Sequence, residues 1–140
     1  MEKHLMNTLN ILLIDDDQDD REFFKIALRT CPIPTICLTA DRGDSAIDLL
    51  NGSDSIPDYI FLDLNMPLMS GKECLCYLQS VPAHAKIPVI IFTTSSFPKD
   101  IEECKALGAT HFLTKTHDLE HLGLLISKIL CGDAKSFTVI

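Results

Sequence analysis

The 140-residue sequence has no tryptophan, two tyrosines, six glycines and only 12 Lys+Arg against 20 Asp+Glu. The shortage of basic residues leaves a formal charge of 12 − 20 = −8. That argues against sequence-independent nucleic-acid binding, which relies on Lys and Arg displacing phosphate counterions. No apolar run approaches the roughly 18 residues of a membrane-spanning helix. The first residues carry Glu2, Lys3 and His4 with no apolar stretch of signal-peptide length, so neither export nor membrane insertion is expected. Position 2 is not glycine and no prenylation cysteine ends the chain, so no lipid anchor is indicated. The few glycines form neither a G-x-G-x-x-G fingerprint nor a P-loop, which argues against a nucleotide or flavin cradle. Among the cysteines (Cys31, Cys37, Cys74, Cys76, Cys104 and Cys131) no pair has C-x-x-C spacing. They read as small hydrophobes in a reducing cytoplasm, and the expected location is cytoplasmic.

What is present is ordinary globular material, 46% hydrophobic and 23% charged, sized for one domain. Its acids are unevenly spread: five of the 20 fall between Asp15 and Asp20, directly after the apolar run Asn10–Ile14. That run has the pattern of a strand buried on both faces. Phe24, Ala27, Leu28 and Cys31 then recur at helical spacing, and Pro32 and Pro34 stop the helix. Thr35–Ala40 reads as a second strand and Asp44–Asn51 as a short helix. Tyr59–Leu62 is a third strand, followed by a helix from Ser70-Gly71 with Cys74, Leu75 and Leu78 inward. Val89–Phe92 is a fourth strand, Lys99–Leu107 a helix led by Pro98, and His111–Thr114 a fifth strand. Leu119, Leu122, Ile126, Ile129 and Leu130 mark a last helix, and residues 131–140 are expected to form an irregular tail. The alternation predicts an α/β fold, a doubly wound five-stranded parallel sheet with five helices. The expected organisation is an N-terminal extension over 1–8, one domain over 9–130 and a tail over 131–140.

In such sheets ligands bind at the carboxyl ends of the strands. Those ends carry Asp15 and Asp16, then Asp63, then Thr93 followed by Thr94, Ser95 and Ser96, then Lys115. Three converging carboxylates raise one another's pKa and stay ionised together only beside a cation. An all-oxygen site with few protein ligands suits Mg2+. A hydroxyl and an ammonium beside such a cluster form a phosphoryl-binding arrangement, and a carboxylate can itself be the nucleophile that forms an acyl phosphate. Taken singly, each Asp is an ordinary helix cap or turn residue; the cap of the first helix is expected at Asp19 or Asp20, with Asp17 a surface or capping acid.

The chain resembles the receiver domains of two-component response regulators. The resemblance lies in Ile11-Leu-Leu-Ile-Asp-Asp-Asp17, Pro57-Asp-Tyr-Ile-Phe-Leu-Asp63-Leu-Asn-Met-Pro67-Leu-Met-Ser-Gly71, Ile87-Pro-Val-Ile-Ile-Phe-Thr93 and Gly108-Ala-Thr-His-Phe-Leu-Thr-Lys115. It implies the flavodoxin-like receiver fold, with Asp63 as phosphoacceptor. It implies Mg2+ bound by Asp15, Asp16, Asp63 and the backbone carbonyl of Asn65. Thr93 and Lys115 would bind the phosphoryl group, and Thr93 and Phe112 would switch, Phe112 entering space that Thr93 leaves. The donor would be a sensor histidine kinase or a histidine phosphotransfer protein. Output would be a phosphorylation-dependent contact with a downstream protein, or relay of the phosphoryl group to a histidine phosphotransfer protein. No output domain is expected in the residues after the last helix, and homodimerisation through the fourth or fifth helix stays open. Nucleic-acid contact and membrane insertion are not expected. The chain is expected to be a switch rather than an enzyme, limited to self-phosphorylation from small donors and self-dephosphorylation.

Two departures from the family pattern stand out. The family usually has Pro after the lysine, in a cis peptide; here the pair is Lys115-Thr116, leaving open a cis or a trans bond. Thr94 stands where the family often has a smaller residue, which predicts narrower access to the acyl phosphate. An aspartate-nucleophile phosphatase is disfavoured, because the position for its second acid, two residues after the nucleophile, is Asn65. A partner-binding receiver that never takes phosphate is disfavoured by the full set of acids, Thr93 and Lys115.

Overall fold

A computed structural model describes residues 7–52, 56–132 and 136–140. Most of the expected N-terminal extension, residues 1–6, and residues 133–135 of the tail lie outside the described residues. The element order is β1 (Leu9–Ile14), α1 (Gln18–Arg29), β2 (Thr35–Ala40), α2 (Gly43–Asn51), β3 (Tyr59–Leu62), α3 (Gly71–Ser80), α4 (Pro82–Ala85), β4 (Val89–Thr93), α5 (Pro98–Ala106), β5 (His111–Thr114), α6 (Leu119–Cys131) and β6 (Thr138–Val139).

The sheet order is β2-β1-β3-β4-β5-β6, and every described strand pair is parallel. The chain therefore forms a doubly wound α/β domain, with the winding direction reversing between β1 and β3. Alternate strand residues feed opposite faces. Leu12, Ile14, Leu62, Ile91 and Phe112 join Ala46, Leu75, Leu78 and Cys104 in one core, beneath α2, α3 and α5. Ile11, Leu13, Phe61, Phe92 and Leu113 join Phe24, Leu28, Leu122 and Ile126 in the other, beneath α1 and α6. Coverage on both faces explains why β1, β3 and β4 read as continuous apolar runs rather than alternating ones.

Among the described residues the sheet has six strands and the domain six helices, where five of each are expected from the sequence. The extra helix, α4, is a single turn started by Pro82 between α3 and β4. The extra strand lies in the tail, whose end is not irregular. Thr138 N–H donates to the Thr110 carbonyl at 3.0 Å and Ile140 N–H to the Phe112 carbonyl at 2.9 Å, so the tail covers the β5 edge. A two-residue strand has too few positions to show periodicity. The cap of α1 is neither Asp19 nor Asp20 but Asp17, whose carboxylate accepts the Asp20 N–H at 3.0 Å. Ser70 caps α3 reciprocally with Glu73 in a capping box. No described helix is long and apolar enough to cross a membrane.

Candidate functional site

Backbone bonds past the last strand residues carry the acids to one edge. Asp15 N–H donates to the Ala40 carbonyl at 3.0 Å, Asp63 N–H to the Ile14 carbonyl at 2.9 Å and Lys115 N–H to the Thr93 carbonyl at 2.7 Å. The ladders of β1, β3 and β5 thus run into the residues that follow each strand. Asp15, Asp16 and Asp63 each offer a carboxylate oxygen within 4.8 Å of the others. They meet where the winding reverses, between β1 and β3, which is where such sheets bind ligands.

Lys115 lies among them. Its Nζ donates to Asp15 Oδ2 at 2.8 Å and to Asp20 Oδ2 at 2.7 Å, and stands 3.7 Å from Asp63 Oδ2. Its ammonium also lies 5.6 Å from the centre of the Phe92 ring, within cation–π range. Asp15 is fixed further: its carboxylate accepts the Asp17 N–H at 3.0 Å and its carbonyl accepts Arg21 Nη1 at 2.8 Å.

The electrostatics follow from burial. Burial raises the Asp63 pKa from its ordinary 3.8 to about 6, the charges of Asp15 and Asp16 push the same way, and Lys115 and the Asn65 N–H oppose them. Burial also raises Asp15, against its hydrogen bond from Lys115. For Lys115 burial alone would lower the pKa, but its bonds to Asp15 and Asp20 more than offset that and hold the ammonium above its ordinary value. The edge is therefore a set of carboxylates short of positive charge. Its hard, oxygen-only donor set and its spacing fit a small divalent cation such as Mg2+ or Mn2+.

This predicts a stability cost with a defined pH dependence. A carboxyl whose folded pKa is raised destabilises the folded state once it ionises, so the cost grows as pH rises through the interval from 3.8 to about 6. Asp63→Asn should therefore be more stable than wild type by about 1–3 kcal/mol above that interval in chelator. The difference should vanish near its lower end and shrink when Mg2+ is added, as read by urea unfolding at several pH values.

The other sequence-derived residues fall as follows. Thr93 is fully buried at the end of β4, and its hydroxyl accepts the Ser95 N–H at 3.4 Å. Asn65 is exposed, two residues beyond Asp63, with its N–H on the Asp63 carboxylate. Phe112 is 0% exposed and packed in the core beneath α2, α3 and α5. The peptide after Lys115 is trans, since the described residues contain no cis bond.

The β3–α3 loop is held by Gly71, whose N–H donates to the Leu64 carbonyl at 2.8 Å. In the same loop Leu68 adopts φ 69°, unusual for a side chain of its size.

Four further contacts are not visible in the sequence pattern. Asp20 is an ion-pair partner of Lys115 rather than a cap. Once Asp17 is recognised as the cap, Asp20 falls in the first turn of α1, beside the strand ends; that is the signal that could have found it. Lys72 on α3 pairs with Asp100 and Glu103 on α5, and Ser95 Oγ donates to the same Asp100. These partners lie 28 and 31 residues from Lys72, with no spacing rule to link them.

Comparison with known proteins agrees with this geometry. The family model described as "Response regulator receiver domain" matches residues 11–127. The chain aligns over 124 residues at 29% identity with the response regulator Rcp1 of Synechocystis sp., covering 85% of this chain and 84% of that protein. The crystal structure of the phosphorylated cyanobacterial phytochrome response regulator RcpA matches with a TM-score of 0.80 at 30% identity, covering 88% of this chain and 91% of that one. The Mn(2+)-bound form of Rcp1 matches with a TM-score of 0.77 at 27% identity, covering 91% and 95%. With the family model spanning most of the chain, and its acids, hydroxyl and lysine at the ends of four parallel strands, this protein belongs to the response regulator receiver domain family of two-component signalling.

Proposed function

We propose that Asp63 accepts a phosphoryl group from the phosphohistidine of a sensor histidine kinase or histidine phosphotransfer protein, and that the phosphorylated chain signals through contact with a downstream protein. The observation that carries this reading is the convergence of Asp15, Asp16 and Asp63 within 4.8 Å, with Lys115 beside Asp15 and Asp63.

In the transfer, an Asp63 carboxylate oxygen bonds to phosphorus as the phosphorus–nitrogen bond breaks. The histidine nitrogen leaves with the bonding pair. Asp15, Asp16, Asp63 and the Asn65 carbonyl would hold Mg2+, which when bound supplies positive charge against the phosphoryl oxygens. Lys115 supplies a second positive charge and the Thr93 hydroxyl a hydrogen bond. Positioning and charge stabilisation carry most of such a transfer. The product adds about 1.5 to 2 negative charges at neutral pH, by analogy with an ordinary phosphomonoester.

The element that responds is the loop after β4, from Thr93 to Phe97, with Thr93 and Phe112 re-packing together. It is bound through Ser95 to Asp100 at the start of α5. Phosphorylation biases that loop between two packings, and a partner that prefers one of them reads the signal. Apart from phosphorylating itself from small donors and losing the group again, the chain acts as a switch and not an enzyme. Mg2+ with acetyl phosphate or phosphoramidate should add one phosphoryl group to the wild-type chain, by intact-mass spectrometry. Asp63→Asn should gain none, and equal gain in both would refute the reading.

A further inference from the structure

We infer that Asp20 is a positioning residue that restrains Lys115 from the phosphoryl group and so sets how tightly the site takes that group; the inference rests on the proposed role of Asp63. A lysine ammonium has three protons to donate. Lys115 gives one to Asp15 at 2.8 Å and one to Asp20 at 2.7 Å, while Asp63 stands off at 3.7 Å.

The two short partners are not equivalent. Asp15 is one of the three carboxylates grouped within 4.8 Å, so a cation held there draws on the charge that now faces Lys115. Asp20 is outside that group, and its hold on Lys115 survives when a cation is present. The carboxylate of Asp20 is placed by the cap of α1, since its own N–H is fixed on the Asp17 side chain at 3.0 Å. The pair is also reversible: the Asp20 side chain is 41% exposed, so water competes for it. Lys115 thus stays tethered to Asp20, over Phe92, until an incoming anion outcompetes that acid.

Asp19 provides an internal control. It lies in the same helical turn, carries the same charge and lines the same cavity of about 310 Å3 as Asp20 and Lys115, but pairs with no described residue. A simple charge effect would be shared by both acids; a tether belongs to Asp20 alone.

The experiment is a calorimetric titration of the full chain with beryllofluoride, a stable phosphoryl mimic, in saturating Mg2+. Asp20→Asn and Asp20→Ala should each bind beryllofluoride about fivefold more tightly than wild type, the size expected on releasing an exposed pair. Asp19→Asn should stay within about twofold of wild type. Affinity for Mg2+ alone should not rise in either Asp20 variant, because a freed Lys115 competes with the cation for the acids. A wild type that binds, with Asp20 variants within twofold of it or with Asp19→Asn gaining equally, overturns this inference and leaves the phosphoacceptor reading intact. A wild type that binds no beryllofluoride overturns both.

Discussion

Replacing Lys115 by Met should destabilise the protein in chelator by about 3–5 kcal/mol near neutral pH, because it leaves buried carboxylates without their counter-charge. The Asp15 and Asp63 side chains are 1% and 8% exposed, and Lys115 is the cation beside both. The loss is a large share of the roughly 5–15 kcal/mol that holds a domain of this kind folded. It should depend on pH in a defined direction. With the ammonium gone, both carboxyls take up protons more readily in the folded state than in the unfolded one. The destabilisation is then largest at neutral pH and fades as pH falls and both carboxyls take up protons; because Lys115 is one of the groups that hold Asp63 down to about 6, the fading sets in above that value. Added Mg2+ should restore much of the difference by supplying charge from another source. Thermal and urea unfolding of wild type and Lys115→Met, with chelator and with Mg2+, at neutral and acid pH, measure each part. Equal stability of the two chains in chelator at neutral pH would contradict the electrostatic account of the site.

Gly71→Ala should also be damaging, by a purely steric route. A Cβ on Gly71 would come within 2.1 Å of the Asp63 carbonyl oxygen, 2.6 Å of Leu64 Cα and 2.9 Å of the Asp63 carbonyl carbon. These are backbone atoms, which cannot rotate aside as a flexible side chain can. The start of α3 must move off the end of β3, breaking the Gly71–Leu64 hydrogen bond and shifting the backbone that carries Asp63. Overpacking typically costs about 1–3 kcal/mol, and the rigid neighbours here place the expected loss at the upper end. Phosphorylation from acetyl phosphate should fall together with the urea midpoint. Wild-type stability and wild-type uptake in Gly71→Ala would show that the loop tolerates the methyl group.

The sheet was legible because its central strands are buried on both faces: Ile11–Ile14, Ile60–Leu62 and Val89–Phe92 are apolar at every position and stop abruptly at polar residues. For the same reason Asp15, Asp63 and Lys115 could be assigned to one edge before any coordinates, since parallel strands end on the same side. What escaped was set by short or long-range contacts. β6 rests on edge hydrogen bonds from a two-residue strand, and no residue pattern encodes those. In the run Asp15 to Asp20 five carboxylates compete for three jobs, and composition alone does not separate a member of the converging acidic cluster (Asp16) from a cap (Asp17) or a lysine partner (Asp20). The Lys72–Asp100–Ser95 connection arises from packing between helices distant in sequence. The trans bond after Lys115 was one of two open outcomes, and threonine in place of proline removes the chemistry that makes cis accessible.

The central claim is that Asp63 itself carries the phosphoryl group. An acyl phosphate is cleaved by borohydride, which converts the modified aspartate to homoserine and so marks it permanently. The chain would be phosphorylated with acetyl phosphate in Mg2+, reduced, digested and mapped by peptide mass spectrometry. The account predicts homoserine at Asp63 alone, absent when acetyl phosphate or Mg2+ is omitted; reduction at another acid, such as Asp15 or Asp16, or at none, would contradict it.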